Sequence, residues 1–181
     1  MAGLNSSYAP DRFIGDLDHT LMRLADPKDI ASVAVRMLGQ YTGADRCDYA
    51  EVEADQEHFV ILGDYARGAM DSVAGRYRIS DFGSLDDHAY VVDDIETEPR
   101  SGTRIPPYLR SEIRSLVCVP LMKAGHVVAG MAVIQRTPRH WSSEEIDLVD
   151  TVAHRCWDSV ERVTALRRLK ASYEDYRSFI A

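Results

Sequence analysis

The chain has 181 residues, of which 45% are hydrophobic and 28% charged, and its formal net charge is −8. This size and hydrophobic content predict one globular domain with extra helical length. The acidic balance argues against nucleic acid or an anionic membrane surface as a partner, because an acidic protein releases no counterions from either. No stretch resembles a signal peptide or a membrane span, so we expect a cytoplasmic protein. Its cysteines form no C-x-x-C pair and are expected to be reduced and buried: Cys47, Cys118 and Cys156.

Two amphipathic helices are predicted at the amino-terminal end. Residues 1–10 precede them and show no periodicity, so we expect a disordered lead-in or a cloning remnant there. From Asp11 onward, apolar side chains recur at spacings of three and four, which is typical of one face of a helix. Asp26 and Pro27 suit an N-cap and a first helical position, and Gly43 is a stop signal. A second helix is therefore expected between them.

Strand-length segments follow the helices. Residues 46–53 and 58–65 flank a polar turn and predict a first hairpin. Tyr77 and Ile79 alternate with polar residues, as in a short, half-exposed strand. Residues 90–93 predict another short strand, which a loop rich in proline follows.

A second hairpin is predicted from residues 116–122 and 127–134, which flank the turn glycine Gly125. Both segments are rich in valine and apolar on both sides. Such a hairpin has to be covered on both faces, so helices from elsewhere in the chain are expected to pack against it.

The last helix has the clearest start signal. Ser142 and Glu145 have the spacing of a capping box, and Trp141 with Ile146 suits a hydrophobic staple. No proline or glycine interrupts residues 143–181, so the helix is expected to approach about 60 Å in length.

Such a helix extends past any sheet that it covers. An apolar stripe beyond the sheet needs a partner, and the simplest partner is a second copy in a parallel or antiparallel coiled coil, with the first helix in the same bundle. The alternative is that the end folds back or frays. The candidates for the dimer interface are Ile14, Leu17, Leu21, Val160, Val163, Leu166, Leu169 and Tyr173.

Four segments together resemble a known family of sensor modules. They are RSLVCVPL at residues 114–121, the turn at Gly125, GMAV at residues 130–133 and RHWSSEE at residues 139–145. They resemble the GAF domain. This resemblance implies an α+β fold, a GAF/profilin-like three-layer α/β/α arrangement with a central antiparallel sheet of five to six strands and a long C-terminal helix. The domain is expected to span residues 11–163.

A closer resemblance concerns the parent protein. Residues 75–83, 90–94, 138–141 and 154–161 resemble GAF modules of bacterial sensor histidine kinases of the HWE type with PAS domains. Residues 164–181 are expected to be a signalling helix that leads toward a following PAS domain absent from this chain. The resemblance implies a two-component system, with the output kinase and PAS domains as partners.

The resemblance also places a ligand pocket between the sheet and residues 75–114. Aromatic side chains with one guanidinium would suit a small planar or anionic molecule. Alternatively, the apolar candidates fill a collapsed core, and the arginine caps a strand or binds an acidic neighbour. The pocket candidates are Tyr77, Asp81, Phe82, His88, Tyr108, Arg114 and Cys118.

No catalytic residue, metal ligand set or cofactor motif is predicted. Cys156 is followed by Trp157 and not by the histidine of bilin-binding cysteines, and the chain has no H-x-x-x-H pair for haem or a metal. His88 beside Asp86 and Asp87 is read as a solvated turn. The N-K-x-F-D-E signature of cyclic-nucleotide GAF domains is absent. The cofactor, if there is one, is unknown.

The sequence thus predicts a sensory module that relays a small-molecule or redox state to an output kinase through a dimeric helical linker. Two alternatives stay open. One is a ligand-free module for dimerisation and signal relay. The other is a small redox enzyme on the same fold, although no nucleophile and base are paired in the sequence.

Overall fold

The computed structural model describes residues 9–82, 87–98 and 113–180, apart from the side chain of Phe82. Within these ranges the chain forms α-helices, one 3-10 turn and the strands of a single sheet. In chain order they are α1 (Pro10–Leu21), α2 (Pro27–Thr42), β1 (Arg46–Val52), β2 (His58–Ala66), β3 (Gly75–Arg78), the 3-10 turn (Ile79–Phe82), β4 (Tyr90–Val92), β5 (Ser115–Lys123), β6 (His126–Gln135) and α3 (Ser143–Ile180).

The start and end of α2 follow from its capping residues. The Asp26 side chain accepts a hydrogen bond from the Lys28 backbone N–H at 2.9 Å, and Pro27 occupies the first helical position. Gly43 ends the helix with φ 67°, a left-handed conformation that favours glycine. The predicted bounds of this helix are confirmed.

The described strands form one sheet in the order β3-β2-β1-β6-β5-β4, and every neighbouring pair is antiparallel. Both predicted hairpins are present, as β1–β2 and β5–β6. The register of β1 against β2 shifts because Tyr49 pairs with Gly63 whereas Ala50 pairs with Ile61. This bulge leaves Leu62 as the extra residue. The predicted α+β fold with an antiparallel sheet and a long last helix is confirmed.

All three described α-helices lie on one face of the sheet, here called the helical face. Their apolar residues form one cluster with Cys47 and Tyr49 of β1 and with alternate residues of β5 and β6. The opposite face, here called the second face, has a separate and smaller cluster that contains no residue of an α-helix. Among the described residues, this second cluster packs against the 3-10 turn through Ile79 and against the segment after β4 through Ile95.

The last helix has 38 residues and begins with the predicted capping box. The Glu145 N–H donates to the Ser142 hydroxyl at 3.2 Å, and the Ser142 N–H donates to the Glu145 carboxylate at 3.0 Å. Its buried residues end at Val163. In the described parts of the chain, none of the helices combines the length and apolar character that crossing a membrane requires.

The dimer-interface candidates divide into two groups. Four of them are buried inside this chain and have almost no surface left for a second copy: Leu17, Leu21, Val160 and Val163. Ile14 is partly buried against the same core. The remaining three are exposed on the end of α3: Leu166, Leu169 and Tyr173.

Candidate ligand-binding site

A row of directly paired residues crosses the second face at the middle of the sheet. Asp48 of β1 pairs with Asp64 of β2 on one side and with Ala132 of β6 on the other. Ala132 pairs with Cys118 of β5, which pairs with Tyr90 of β4. Paired residues in antiparallel strands point to the same face, so these side chains lie side by side.

The centre of this row is lined by small side chains. The next row continues them with Ala50 and Gly130. The floor is the group formed by Asp48, Ala50, Cys118, Gly130 and Ala132. Large residues of the second-face cluster border it on both sides along the strands: Phe59, Ile61 and Tyr77 on one side, and Leu116, Ile134 and Val92 on the other. The small side chains of the floor are therefore shorter than the apolar side chains that border it.

A buried ion pair lies at one end of the floor. The Arg46 guanidinium contacts the Asp64 carboxylate at 2.8 Å, and the two side chains are 2% and 6% exposed. Arg46 also donates to the Asp71 carbonyl, and the Val73 N–H donates to Asp64. The hydroxyl of Tyr77 donates to the Val73 carbonyl at 2.8 Å. These bonds fix the segment before β3 against the floor.

Asp48 differs from its neighbours because its carboxyl group has no hydrogen-bond or ion-pair partner among the described residues. Burial and then the nearby Asp64 carboxylate raise the pKa of this carboxyl, the Arg46 guanidinium opposes both, and the resulting pKa is about 7. A carboxyl in an apolar setting without a partner is costly. It is therefore the group on the floor with unused binding capacity.

The cysteines are poor nucleophiles in this fold. Burial, followed by the negative charge of Asp48, raises the pKa of the Cys118 thiol to about 12. Burial also raises the pKa of the Cys47 and Cys156 thiols, both of which pack into the core of the helical face. Because the thiolate is the reactive form, all three are held as neutral thiols near pH 7.

Among the described residues, two of the predicted pocket residues lie at this site: Cys118 belongs to the floor, and Tyr77 borders it. Asp81 is exposed, and the His88 side chain, beside Asp87, is 82% exposed. The side chain of Phe82 and the whole of Tyr108 lie outside the described residues.

Arg114 is committed to carboxylates. Its guanidinium bonds Asp94 through two nitrogens at 2.9 and 3.0 Å and contacts Glu96 at 3.1 Å. The Arg114 hydrogen bonds lower the pKa of the Asp94 carboxyl. Arg114 also precedes Cys118 by four residues, which is about 13 Å along a strand. This arrangement matches the alternative in which Arg114 binds an acidic neighbour, and it leaves no support for an anion-binding role.

Sequence reasoning missed Asp48 and Arg46. The signal for them was present in the first predicted hairpin, where the segments RCDYAEV and HFVILGDYA each contain one aspartate among apolar residues. With the hairpin register in hand, Asp48 and Asp64 would have been paired on one face. The bulge at Leu62 hid this register, because it shifts every pair beyond it by one residue.

A hydrogen-bonded network connects this side of the sheet to the start of α3. Asp93 directly follows β4, and its carboxylate accepts from the Trp141 N–H at 3.2 Å and contacts His140 Nδ1 at 2.7 Å. Its carbonyl accepts from the Arg139 N–H. The Arg139 guanidinium contacts the Glu145 carboxylate at 2.6 Å, with both side chains below 10% exposed.

Two other features of the described residues resemble binding sites. The side chains of Glu53, Asp55 and His58 bring possible metal ligands within 4.8 Å of one another. However, Arg76 contacts Glu53 at 2.7 Å and Asp55 at 3.6 Å, so a guanidinium already supplies the positive charge there. An open cleft of about 470 Å³ lies at the turn end of both hairpins, and turn residues such as Gln56 and Gly125 line it.

Comparison with known proteins gives one family and one fold. The model of the GAF domain family matches residues 26–160. No curated protein sequence matches the chain significantly.

Similar solved structures include three proteins with different roles. Residues 122 to 287 of a methyl-accepting chemotaxis protein share 17% identity at a TM-score of 0.69, covering 83% of this chain and 98% of that one. Free methionine-R-sulfoxide reductase from Neisseria meningitidis shares 14% identity at a TM-score of 0.64, and the match covers 90% of this chain and 99% of that one. The phycocyanobilin-bound GAF domain of a cyanobacterial phytochrome shares 12% identity at a TM-score of 0.72, and the match covers 87% of this chain and 96% of that one. These identities show the fold alone.

Proposed function

The chain belongs to the GAF domain family of sensory and regulatory modules, and we propose that it is a cytoplasmic sensor that binds a small molecule on the second face of its sheet. One observation carries this proposal. The floor around Ala132 and Cys118 is lined by small side chains, is bordered by large apolar ones, and contains one carboxyl group, Asp48, without a partner among the described residues. Ligand sites combine these features, a mostly apolar lining with few polar groups.

The network around Asp93 supports a route from the floor to the last helix. Tyr90 lies at the edge of the floor, and Asp93 follows three residues later on the same strand end. Asp93 in turn bonds residues 139–141, which lead into α3. A ligand that shifts β4 therefore shifts the start of α3, provided that it binds one helix arrangement better than the other.

Dimerisation through α3 is the second part of the proposal. The exposed end of α3 continues well past the sheet, and its apolar residues repeat with heptad spacing from Leu166 to Ile180. A second copy of the chain would cover them. We propose further that the parent protein is a two-component sensor histidine kinase of the HWE type, on the sequence resemblance alone.

Two other functions compete with this one. A ligand-free module for dimerisation and relay would have its floor filled by the chain itself. A redox enzyme would need a reactive thiolate, and the raised pKa values of the three thiols argue against it.

The test is native mass spectrometry of the purified chain with an absorption spectrum of the same sample. We expect a bound mass on the wild-type chain and none on Ala132→Leu, which fills the floor. Ala171→Leu adds the same side chain on the exposed part of α3 and is the matched control. A bare wild-type chain that shows no binding to any small probe would favour the ligand-free module.

A further inference from the structure

We propose that Asp48 selects the ligand, and that the ligand is a small organic cation such as an amine or a protonated nitrogen heterocycle. This inference rests on the proposed function, because it assigns the chemical class of the molecule that the same floor would bind.

The carboxyl group of Asp48 has unused hydrogen-bonding capacity. Asp48 is partly buried, yet neither of its oxygens accepts a hydrogen bond from any described residue. A half-buried carboxyl group among small and apolar side chains, with no donor from the described residues, keeps both oxygens available for a ligand. A ligand N–H donor supplies a hydrogen-bond partner.

The charges on the described part of the floor favour a cation over an anion. The Arg46 guanidinium forms an ion pair with the Asp64 carboxylate at 2.8 Å, and its other terminal nitrogen donates to the Asp71 carbonyl. The pair is neutral as a unit, so the charge left over on the described part of the floor is that of Asp48. Among the described residues of the floor, an anion would meet the Asp48 carboxylate and no positive charge beyond the one that Asp64 neutralises, whereas a cation would gain a charge-assisted hydrogen bond.

Two aromatic residues, Phe59 and Tyr77, form a wall beside the floor. The rings of Phe59 and Tyr77 stack with centroids 5.6 Å apart and an angle of 26° between their planes, and Tyr77 lies close enough to Asp48 for their charges to interact. Aromatic faces attract cations as well as flat apolar groups. The wall and the carboxyl group therefore favour the same kind of ligand, an aromatic or heterocyclic amine.

Three probes of one size separate charge from shape: benzylamine, benzyl alcohol and benzoate. Each is titrated into the ¹⁵N-labelled chain at about pH 8, where Asp48 is mostly ionised, and the backbone amide shifts are followed by NMR. We expect benzylamine to shift the amides of Asp48, Cys118 and Ala132 saturably. Benzoate is expected to bind at least tenfold more weakly.

The variant Asp48→Asn keeps the size of the side chain and removes its charge. We expect it to weaken benzylamine about tenfold and to bring it close to benzyl alcohol. Asp150→Asn removes an exposed carboxylate from α3, and this control is expected to leave all three affinities unchanged.

The pH dependence gives an independent readout. Among the described residues, the titratable and charged groups that interact with Asp48 are Arg46 and Cys47 on its own strand, Asp64 of β2, Cys118 of β5 and Tyr77 of β3. Of these, Asp48 is the one whose pKa lies at about 7. Benzylamine stays protonated in this range, so its affinity should rise from about pH 6 to about pH 8 in the wild type and stay constant in Asp48→Asn.

The outcomes distinguish this inference from the proposed function. If benzoate or benzyl alcohol binds the floor as tightly as benzylamine, or if Asp48→Asn changes nothing, the floor is a pocket but Asp48 does not select its ligand. If none of the probes shifts these amides, both the selected cation and the pocket itself are refuted.

Discussion

At the scale of single residues, Asp48 is the one whose environment departs most from that of an ordinary aspartate. Its carboxyl group would titrate near 3.8 in water, whereas burial beside Asp64 raises the pKa to about 7. Arg46 compensates only in part, because its guanidinium is bonded to Asp64. Asp48 therefore destabilises the fold when it is ionised, as expected of a group kept for binding and not for stability.

We expect Asp48→Asn to be more stable than the wild type above pH 7, by about 2 kcal/mol. Between pH 3.8 and about 7 the folded chain keeps a proton that the unfolded chain has lost, so the wild-type free energy of unfolding falls as the pH rises through this window. Solvent screens the partly exposed Asp48 side chain, so the expected effect is about half of the full linkage value.

Urea unfolding of both proteins across this range measures the effect. The stability difference should be near zero at roughly pH 4 and should reach its maximum above pH 7. Taking the difference between variants cancels the other carboxylates, such as Asp55 and Asp94, whose pKa values are lowered. A difference that does not change with pH would contradict the raised pKa.

Gly63 shows a second residue-scale constraint, the close approach of β2 to α2. A Cβ atom at this position would lie 2.6 Å from the backbone of Ala31, which cannot move without displacing the helix. We expect Gly63→Ala to lower the free energy of unfolding by about 2 kcal/mol or more. Gly15 lies in α1 with no atom near its missing Cβ, so Gly15→Ala is expected to stabilise by about 0.5 to 1 kcal/mol. Thermal unfolding of both variants tests the pair.

At the scale of elements, the last helix has two apolar faces in succession. From Val149 to Val163 its buried residues pack on this chain's own core. Val160, Val163, Leu166 and Leu169 then follow at steps of three, each of which rotates the position by about 60° around the helix. The exposed stripe thus lies on a different side of the helix from the buried one. It consists of Leu166, Leu169, Tyr173, Tyr176 and Ile180, all more than half exposed.

We predict that Leu166→Glu with Leu169→Glu converts a dimer into a monomer without unfolding the domain. The stripe has the alternating three-four spacing of a coiled coil, and charges at its first two positions cannot be buried without partners. Light scattering measures the mass, and circular dichroism checks the fold.

The matched control places two glutamates on the opposite side of the same helix, Ala171→Glu with Ser178→Glu. This variant should stay dimeric. A stripe variant that also stays dimeric would show that the copies associate through another surface. Val163 is unsuitable for this test because it is buried in the chain's own core.

At the scale of the whole molecule, the connection between the floor and α3 runs through few side chains. Asp93 holds residues 139–141 through three contacts, and Arg139 carries the connection to Glu145 at the first turn of α3. Arg139 also lies over the Trp141 ring at 4.4 Å and donates to the Thr42 carbonyl at the end of α2. The start of α3 is therefore tied both to β4 and to α2.

We expect Asp93→Ala to speed amide hydrogen exchange at residues 139–148 and to leave the exchange of β1 and α2 unchanged. The reason is that the bond to the Trp141 N–H and the contact with His140 are lost, while the sheet keeps its own ladder. Asp150→Ala, which removes an exposed partner of His154, is the control. Equal exchange in the wild type and Asp93→Ala would show that α3 is held without this network.

The sequence specified the elements of this molecule better than its site. Capping residues such as Asp26, Ser142 and Glu145 act within a few residues of the chain, so α2 and α3 were predictable from local chemistry alone. The two hairpins followed for the same reason. Of the pocket candidates that the structure describes, Tyr77 and Cys118 lie at the floor, whereas Asp81, His88 and Arg114 do not, because the resemblance indicated a segment of the chain and not the face that each side chain occupies.

The sequence by itself thus determined the family, the order of the helices and strands, and the long exit helix, all of which depend on local pattern and spacing. The tertiary structure alone decided which face each strand residue occupies, because the bulge at Leu62 sets the register of β1 against β2. It also decided how charges are shared. Arg46 forms an ion pair with Asp64, and Arg114 forms one with Asp94, so Asp48 has no partner among the described residues. Local sequence does not reveal these pairs, because partners in a sheet come from strands far apart in the chain.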